Sequence, residues 1–332
     1  MRTVRSVRAV AAALAALALA AGCSGSGGKK SEEGAASGAS GKAADTPRMT
    51  IGMVSHSGEG DTFWDIVQTG AEQAAKKDNV KFLYANDKEG SRQAELVRSM
   101  TDQKVDGLIV TLAKPQALQS AVRAAVKAGI PVITINSGGE YSQRYGALTH
   151  IGQDESVAGR AVGEELNRRG REKALCVIHE QGNVSLEDRC AGVKKAFDGT
   201  VENLNVDGTN APSSQSSIEA KLQSDKGIDA IVTLGAPMAA ISVKAKDQAG
   251  SKAEVATFDL NAAVVKSLKA KDITFAVDQQ PYLQGYEAVD LLWLNRTNAN
   301  VLGGGRPVLT GPALVTGEDV PALEKYTARG TR

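Results

Sequence analysis

Residues 107–136 read GLIVTLAKPQALQSAVRAAVKAGIPVITIN. The runs 107–111 and 131–135 are short, apolar and rich in β-branched residues, with no polar alternation. Such runs are strands buried on both faces. Between them, residues 115–128 carry apolar positions at helical spacing. Pro115 suits the first turn of that helix, and Gly129 suits its C-terminal stop ahead of Pro131. A strand, a covering helix and a second strand form one unit of a parallel α/β sheet.

The same unit repeats in both directions. Upstream, 49–55 and 80–85 read as strands, and 62–77 and 91–103 as helices. Downstream the pattern restarts, with helices at 156–169, 186–197, 214–224, 238–248 and 261–270. Strands fall between them at 174–179, 201–206, 230–234 and 254–258. Two arrays of this length predict an α/β protein of two Rossmann-like lobes, each with its own parallel sheet. The remaining pieces are too small for a third domain. They are a strand at 273–277, a helix at 281–295, the Gly303–Gly305 break and an extended segment at 307–315. They are expected to complete the two sheets, so the lobes are joined by a multi-crossover hinge. The expected division is 48–150 plus 280–306 for the N-terminal lobe and 151–279 plus 307–328 for the C-terminal lobe.

The N-terminus is of another kind. Arg2, Arg5 and Arg8 precede an apolar run at 10–21 that ends in Ala20-Ala21-Gly22-Cys23. A basic start, a short apolar stretch and small residues before a cut mark residues 1–22 as a signal peptide. The run falls short of the roughly 20 apolar residues that span a bilayer. The small residues before Cys23 resemble a bacterial lipoprotein box, although the usual Leu is displaced by one position to Leu19. The resemblance implies a lipidated Cys23. Residues 23–47 then form the lipidated end and a flexible Gly/Ser/Ala/Lys/Glu linker. The expected location is extracytoplasmic, lipid-anchored to the cell membrane. In an exported chain, Cys176 and Cys190 are a disulfide candidate. Two buried free thiols are the alternative.

Net charge is +1, from 39 basic and 38 acidic residues, so there is no electrostatic case for nucleic acid. His56, His150 and His179 lack metal-ligand spacing. No nucleophile elbow or phosphate loop is present. The chain is therefore expected to have no cofactor or metal and not to be an enzyme; it is also expected to be a monomer.

In open α/β sheets, ligands bind beyond the carboxyl ends of the strands. Two facing sheets make a cleft there. Asp61 or Thr62 can cap the helix that begins with Phe63 and Trp64. Those two aromatics point in different directions, so at least one is expected to wall the cleft. Asn136, Arg189, Gly235, Asp259 and Gln279 follow other strand ends or open the next helix. Amides, carboxylates, an Arg and aromatics are the groups that hold a neutral polyol. Asp259 is equally suited to capping the next helix.

In order and spacing, these segments resemble the solute-binding proteins of the ribose/galactose class, the extracytoplasmic receptors of sugar ABC transporters. Asp61-Thr62-Phe63-Trp64 stands where that family has Asn-Pro-Phe-Phe, whose aromatics stack on the sugar. IPVITIN (130–136) is similar to Ile-Pro-Val-Ile-Thr-Leu-Asp, so Asn136 replaces a ligand Asp and Ser137 the following Arg. Arg189-Cys190-Ala191-Gly192 is similar to the family's Arg-x-x-Gly. VATFD (255–259) is similar to Val-Val-Gly-Phe-Asp, and Gln279 to the hinge Gln that binds sugar. Gly235-Ala236-Pro237 departs from the family's Asn-Asp. The resemblance implies a lipoprotein that binds a neutral sugar or polyol by hinge closure and delivers it to an ABC permease and its ATPase. A sensory binding protein that presents a sugar-like signal to a membrane receptor is the alternative.

Overall fold

The computed structural model of the chain describes residues 43–58 and 61–332. The expected signal peptide, Cys23 and the linker up to residue 42 lie outside the described residues. The first array comprises β1 (Met49–Ser55), α1 (Thr62–Lys77), β2 (Val80–Asn86), α2 (Gly90–Asp102), β3 (Gly107–Thr111), α3 (Pro115–Lys127), β4 (Val132–Ile135), α4 (Gly139–Ser142) and β5 (Thr149–Gly152). The second comprises α5 (Glu155–Arg168), β6 (Lys173–Ile178), α6 (Val184–Ala196), β7 (Thr200–Asn205), α7 (Ala211–Ser224), β8 (Ala230–Thr233), α8 (Ala236–Gln248), β9 (Glu254–Phe258), α9 (Ala262–Ala270) and β10 (Phe275–Asp278). The chain ends with α10 (Pro281–Asn298), β11 (Val308–Leu309), β12 (Ala313–Val315) and α11 (Val320–Ala328).

These strands form two six-stranded sheets, β11-β5-β4-β3-β1-β2 and β12-β10-β9-β8-β6-β7. All pairings are parallel except that of β12 with β10. The two orders match position for position, so each lobe is a version of the other. Strands β3 and β4 are buried along their whole length, as apolar runs without alternation require.

The chain crosses between lobes three times, after β5, after β10 and between β11 and β12. These points differ by a few residues from the expected ones. Residues 151–152 and 308–309, expected in the C-terminal lobe, pair inside the first sheet, with Ile151 opposite both Ile135 and Val308. Segment 307–315, a single extended piece by its sequence, serves both sheets. An edge strand is positioned by ladder partners distant in sequence, and the apolar run itself carries no mark of the change of sheet.

Each of the first two crossings delivers a helix onto the first helix of the other lobe. α10 packs on α1, and α5 packs on α6. Small residues let these backbones touch. A Cβ at Gly159 of α5 would collide with the carbonyl oxygen of Arg189, and one at Gly192 of α6 with that of Ser156. Gly70 and Gly285 do the same for α1 and α10. Cys176 of β6 and Cys190 of α6 are joined in a disulfide, Cα atoms 6.0 Å apart. The α5–α6 contact and this bond together locate the backbone of Arg189. Gly159→Val is expected to lower stability by about 2–3 kcal/mol, because overpacking against main chain cannot relax through a rotamer. Urea unfolding followed by circular dichroism measures it, and an unchanged midpoint would show that the two helices can move apart without cost.

Candidate functional site

The carboxyl ends of the two sheets face each other across a cavity of about 180 Å³. All eight residues expected at the ligand site, Asp61, Phe63, Trp64, Asn136, Arg189, Gly235, Asp259 and Gln279, line it. The lobes are closed over it. Val184 N–H donates to Ala113 O at 3.1 Å, and Lys114 Nζ lies 3.4 Å from Glu180 Oε1. Asn183 Nδ2 approaches His56 Nε2 at 3.3 Å from the other lobe.

At the floor of the cleft, one carboxamide joins both sheets. Asn136 Nδ2 donates to Gln279 Oε1 at 3.1 Å, and Gln279 Nε2 donates to Asp259 Oδ1 at 2.6 Å. Asn136 follows β4 and Asp259 follows β9, the matching strands of the two sheets. Both adopt left-handed backbone, with φ of 63° and 69°. Asn and Asp are the non-glycine residues that visit this region most readily. The conformation ends each strand abruptly and turns a short polar side chain toward the crossover. Gln279 is held in turn by Gln284, whose Nε2 donates to Gln279 Oε1 at 3.0 Å and to Thr310 Oγ1 of the third crossover at 3.2 Å.

The helix-cap alternative for Asp259 is resolved by its neighbour. Asn261 caps α9, its side chain accepting from Val264 N–H at 2.8 Å, so Asp259 is left to the cleft. Burial pushes the Asp259 carboxyl up to about 7, against the opposing pull of Arg189 and the Gln279 amide. Asp61 does cap α1, accepting from Phe63 N–H at 3.1 Å, and burial pushes its carboxyl up to about 6.

At least one of the two aromatics was expected to wall the cleft, and both do. Phe63 and Trp64 are both buried, and both belong to the first lobe's core while walling the cavity. They meet edge to face at 5.1 Å, and Trp64 also meets the His56 ring edge to face at 5.0 Å. Closure of the second lobe over the start of α1 removes the solvent side that a helix terminus would otherwise have.

Arg189 is 3% exposed. Its Nε donates to Glu155 Oε2 at 2.6 Å, its Nη2 to Glu155 Oε1 at 2.9 Å, and its Nη1 to Leu234 O at 2.9 Å. The guanidinium lies 4.6 Å from the centre of the Phe258 ring. Three of its five N–H groups are thus occupied within the protein, and two remain. Gly235 precedes α8 without a side chain. A Cβ there would stand 3.2 Å from the His179 ring and 3.8 Å from Asp259 Oδ2, so the glycine keeps room between them. No local pattern marks His179 as part of the cavity wall or Glu155 as the partner of Arg189. Burial lowers His56 and takes His179 down to about 4, disfavouring the protonated form of both rings. Asp154-Glu155 reads as an ordinary acidic first turn, with nothing in the sequence to set Glu155 against Arg189. Among the described residues, no cluster of His, Cys, Asp and Glu is arranged to hold a metal ion.

Residues 51–297 match the family model described as a periplasmic binding protein domain. A carbohydrate transporter of Acidothermus cellulolyticus, solved in complex with myo-inositol, is 46% identical with a TM-score of 0.85, covering 86% of this chain and 100% of that one. A solute-binding protein of an ABC transporter from Burkholderia graminis, solved with D-arabinose, shares the fold at 24% identity and a TM-score of 0.74, covering 82% of this chain and 96% of that one. The ribose import binding protein of Bacillus subtilis is 24% identical over 73% of this chain and 79% of its own length. Two matching, mostly parallel sheets, three crossovers and a polar cleft at their strand ends agree with those matches, and the chain belongs to the periplasmic binding protein family.

Proposed function

We propose that the chain is the substrate-binding component of an ABC sugar importer, taking a neutral, ring-sized polyol into the cleft between its lobes. A cyclitol of the myo-inositol type is the first candidate, because the 46% identical relative was solved with that compound. The observation that carries the reading is the cavity between the lobes. It combines an apolar aromatic wall with amide, carboxylate and guanidinium groups from both lobes, the composition of a small-molecule site. Amide and Arg N–H groups donate to hydroxyl oxygens, and Asp259 and Asp61 accept from hydroxyl protons.

The mode of action is capture without chemical turnover. Ligand binds one lobe, hinge motion at the three crossovers brings the other over it, and the closed form docks on a membrane permease served by an ATPase. The proposed receptor acts as a monomer, its cavity lined by residues of both lobes of one chain. A lipidated Cys23 and the linker would hold this receptor outside the membrane at high effective concentration near its partner.

Thermal-shift screening of purified protein against myo-inositol, pentoses, hexoses and linear polyols tests the reading. At least one compound, with myo-inositol foremost, should raise the melting temperature and give a micromolar or tighter Kd by calorimetry. Silence across the panel would remove it.

The raised carboxyl of Asp259 gives a second expectation. Below pH 7, burial between the closed lobes holds it largely protonated, and hydroxyl donors favour the ionised form. Ligand binding near pH 6 should therefore release a proton, and affinity should rise as pH passes through 7. Calorimetry in buffers of different ionisation enthalpy measures the release, most of which Asp259→Asn should remove, with Asp61 supplying the remainder. For the anchor, Cys23→Ser should move the protein from the membrane fraction to the medium or the soluble extracytoplasmic fraction, and continued membrane association would exclude lipidation at that residue.

A further inference from the structure

The guanidinium at the cleft is matched before any ligand arrives. Glu155 meets it through both carboxylate oxygens and is itself 7% exposed at its side chain. Glu155 stands in the first turn of α5, where the helix N-terminus favours a carboxylate. Gln153 Nε2 donates to its Oε2 at 2.8 Å. Glu155 does not line the ligand cavity. It lines an adjoining space of about 780 Å³ that shares Asn136 and Ser185 with the ligand cavity.

The geometry points to Glu155 as the positioning and specificity-determining residue of the cleft: it holds Arg189 as a neutralised donor, so that the site accepts neutral polyols and refuses anionic sugars. This rests on the sugar-binding reading above and extends it to the class of sugar.

Without Glu155, the buried guanidinium would lose its bidentate partner and keep only the more distant pull of Asp259, in a medium of low effective dielectric where an anion able to fit is drawn in. With Glu155 in place, the pair carries no net charge, and the two remaining N–H groups of Arg189 act only as directional hydrogen-bond donors. The other ionisable groups facing the cavity do not reverse this. Asp61, Glu180 and Asp259 are acidic, burial lowers His56 and His179, and Lys88 is an exposed cation at the margin. Above pH 7, where Asp61 and Asp259 are both ionised, a uronate ring would meet carboxylates, and among the described residues Lys88 at the margin is the cation besides Arg189 that lines the cavity. The bidentate contact also fixes the direction of the guanidinium, which is stacked on Phe258 and tied to Leu234 O.

The test compares a neutral and an anionic ring of similar size. Wild type and Glu155→Gln are titrated by calorimetry with the neutral compound found in the panel, myo-inositol first, and with D-glucuronate. Wild type should bind the neutral ring and show no heat with glucuronate. In Glu155→Gln, the affinity ratio should shift toward glucuronate by at least about tenfold. An unchanged ratio, whatever happens to melting temperature or absolute affinity, would reduce Glu155 to a structural prop and overturn the proposal. So would wild-type protein that binds glucuronate better than any neutral ring. Glu155→Asp keeps the charge and should restore the refusal of glucuronate; failure to do so also counts against it. Should Glu155→Gln not fold, the neutral pair Glu155→Gln with Arg189→Gln must refuse glucuronate as wild type does, and acceptance by that pair would likewise overturn the assignment. Absence of any neutral ligand for wild type is a failure of the functional reading, whereas a bound neutral ring with an unmoved ratio is a failure of Glu155 alone.

Discussion

One carboxamide, that of Gln279, connects the two lobes at the floor of the cleft. Its oxygen accepts from Asn136 of the first sheet, and its nitrogen donates to Asp259 of the second. An amide is suited to this because it carries a donor and an acceptor on one rigid plane, with no charge to desolvate. Gln284 and the third crossover hold that plane in position. Closure therefore brings together two strand ends already aimed at the same point. A carboxylate at position 136, as the family pattern has it, could not donate to Gln279 Oε1, and the amide would have to turn over. The Asn at 136 and the present orientation of Gln279 are parts of one arrangement.

The second lobe holds a different device, the buried pair of Arg189 and Glu155. Such pairs add little stability, because desolvation offsets their attraction. Their value here is direction. The α5–α6 backbone contact at Gly159 and Gly192 sets the helix separation, the disulfide at Cys190 ties α6 to β6, and the carboxylate orients the guanidinium. Rigid packing supplies position, and a polar pair supplies orientation.

Much of this was legible along the chain. Strands such as 107–111 are apolar throughout because both faces are covered, and the helices between them show their stops at Gly129 and Pro131. The strand-end rule then led to Asn136, Gly235 and Asp259, and these residues do meet in one cavity. Other features were not legible. Glu155 looks like any acidic residue in a helix first turn. Asp259 looks like a helix cap until Asn261 is seen to fill that role. Residues 308–309 look like part of the strand that follows them, yet they pair with β5.

The amino-acid sequence by itself determined the class of fold, the two repeated arrays and the strand ends at which chemistry would gather. Those follow from local periodicity and from residues that start and stop elements, which act over a few positions. Only the tertiary structure decided which sheet each edge strand joins, that Phe63 and Trp64 are both buried, and which carboxylate faces Arg189. These outcomes depend on contacts between residues far apart in the chain, such as Glu155 with Arg189 and Asn136 with Gln279, and no local pattern encodes the distance between such partners.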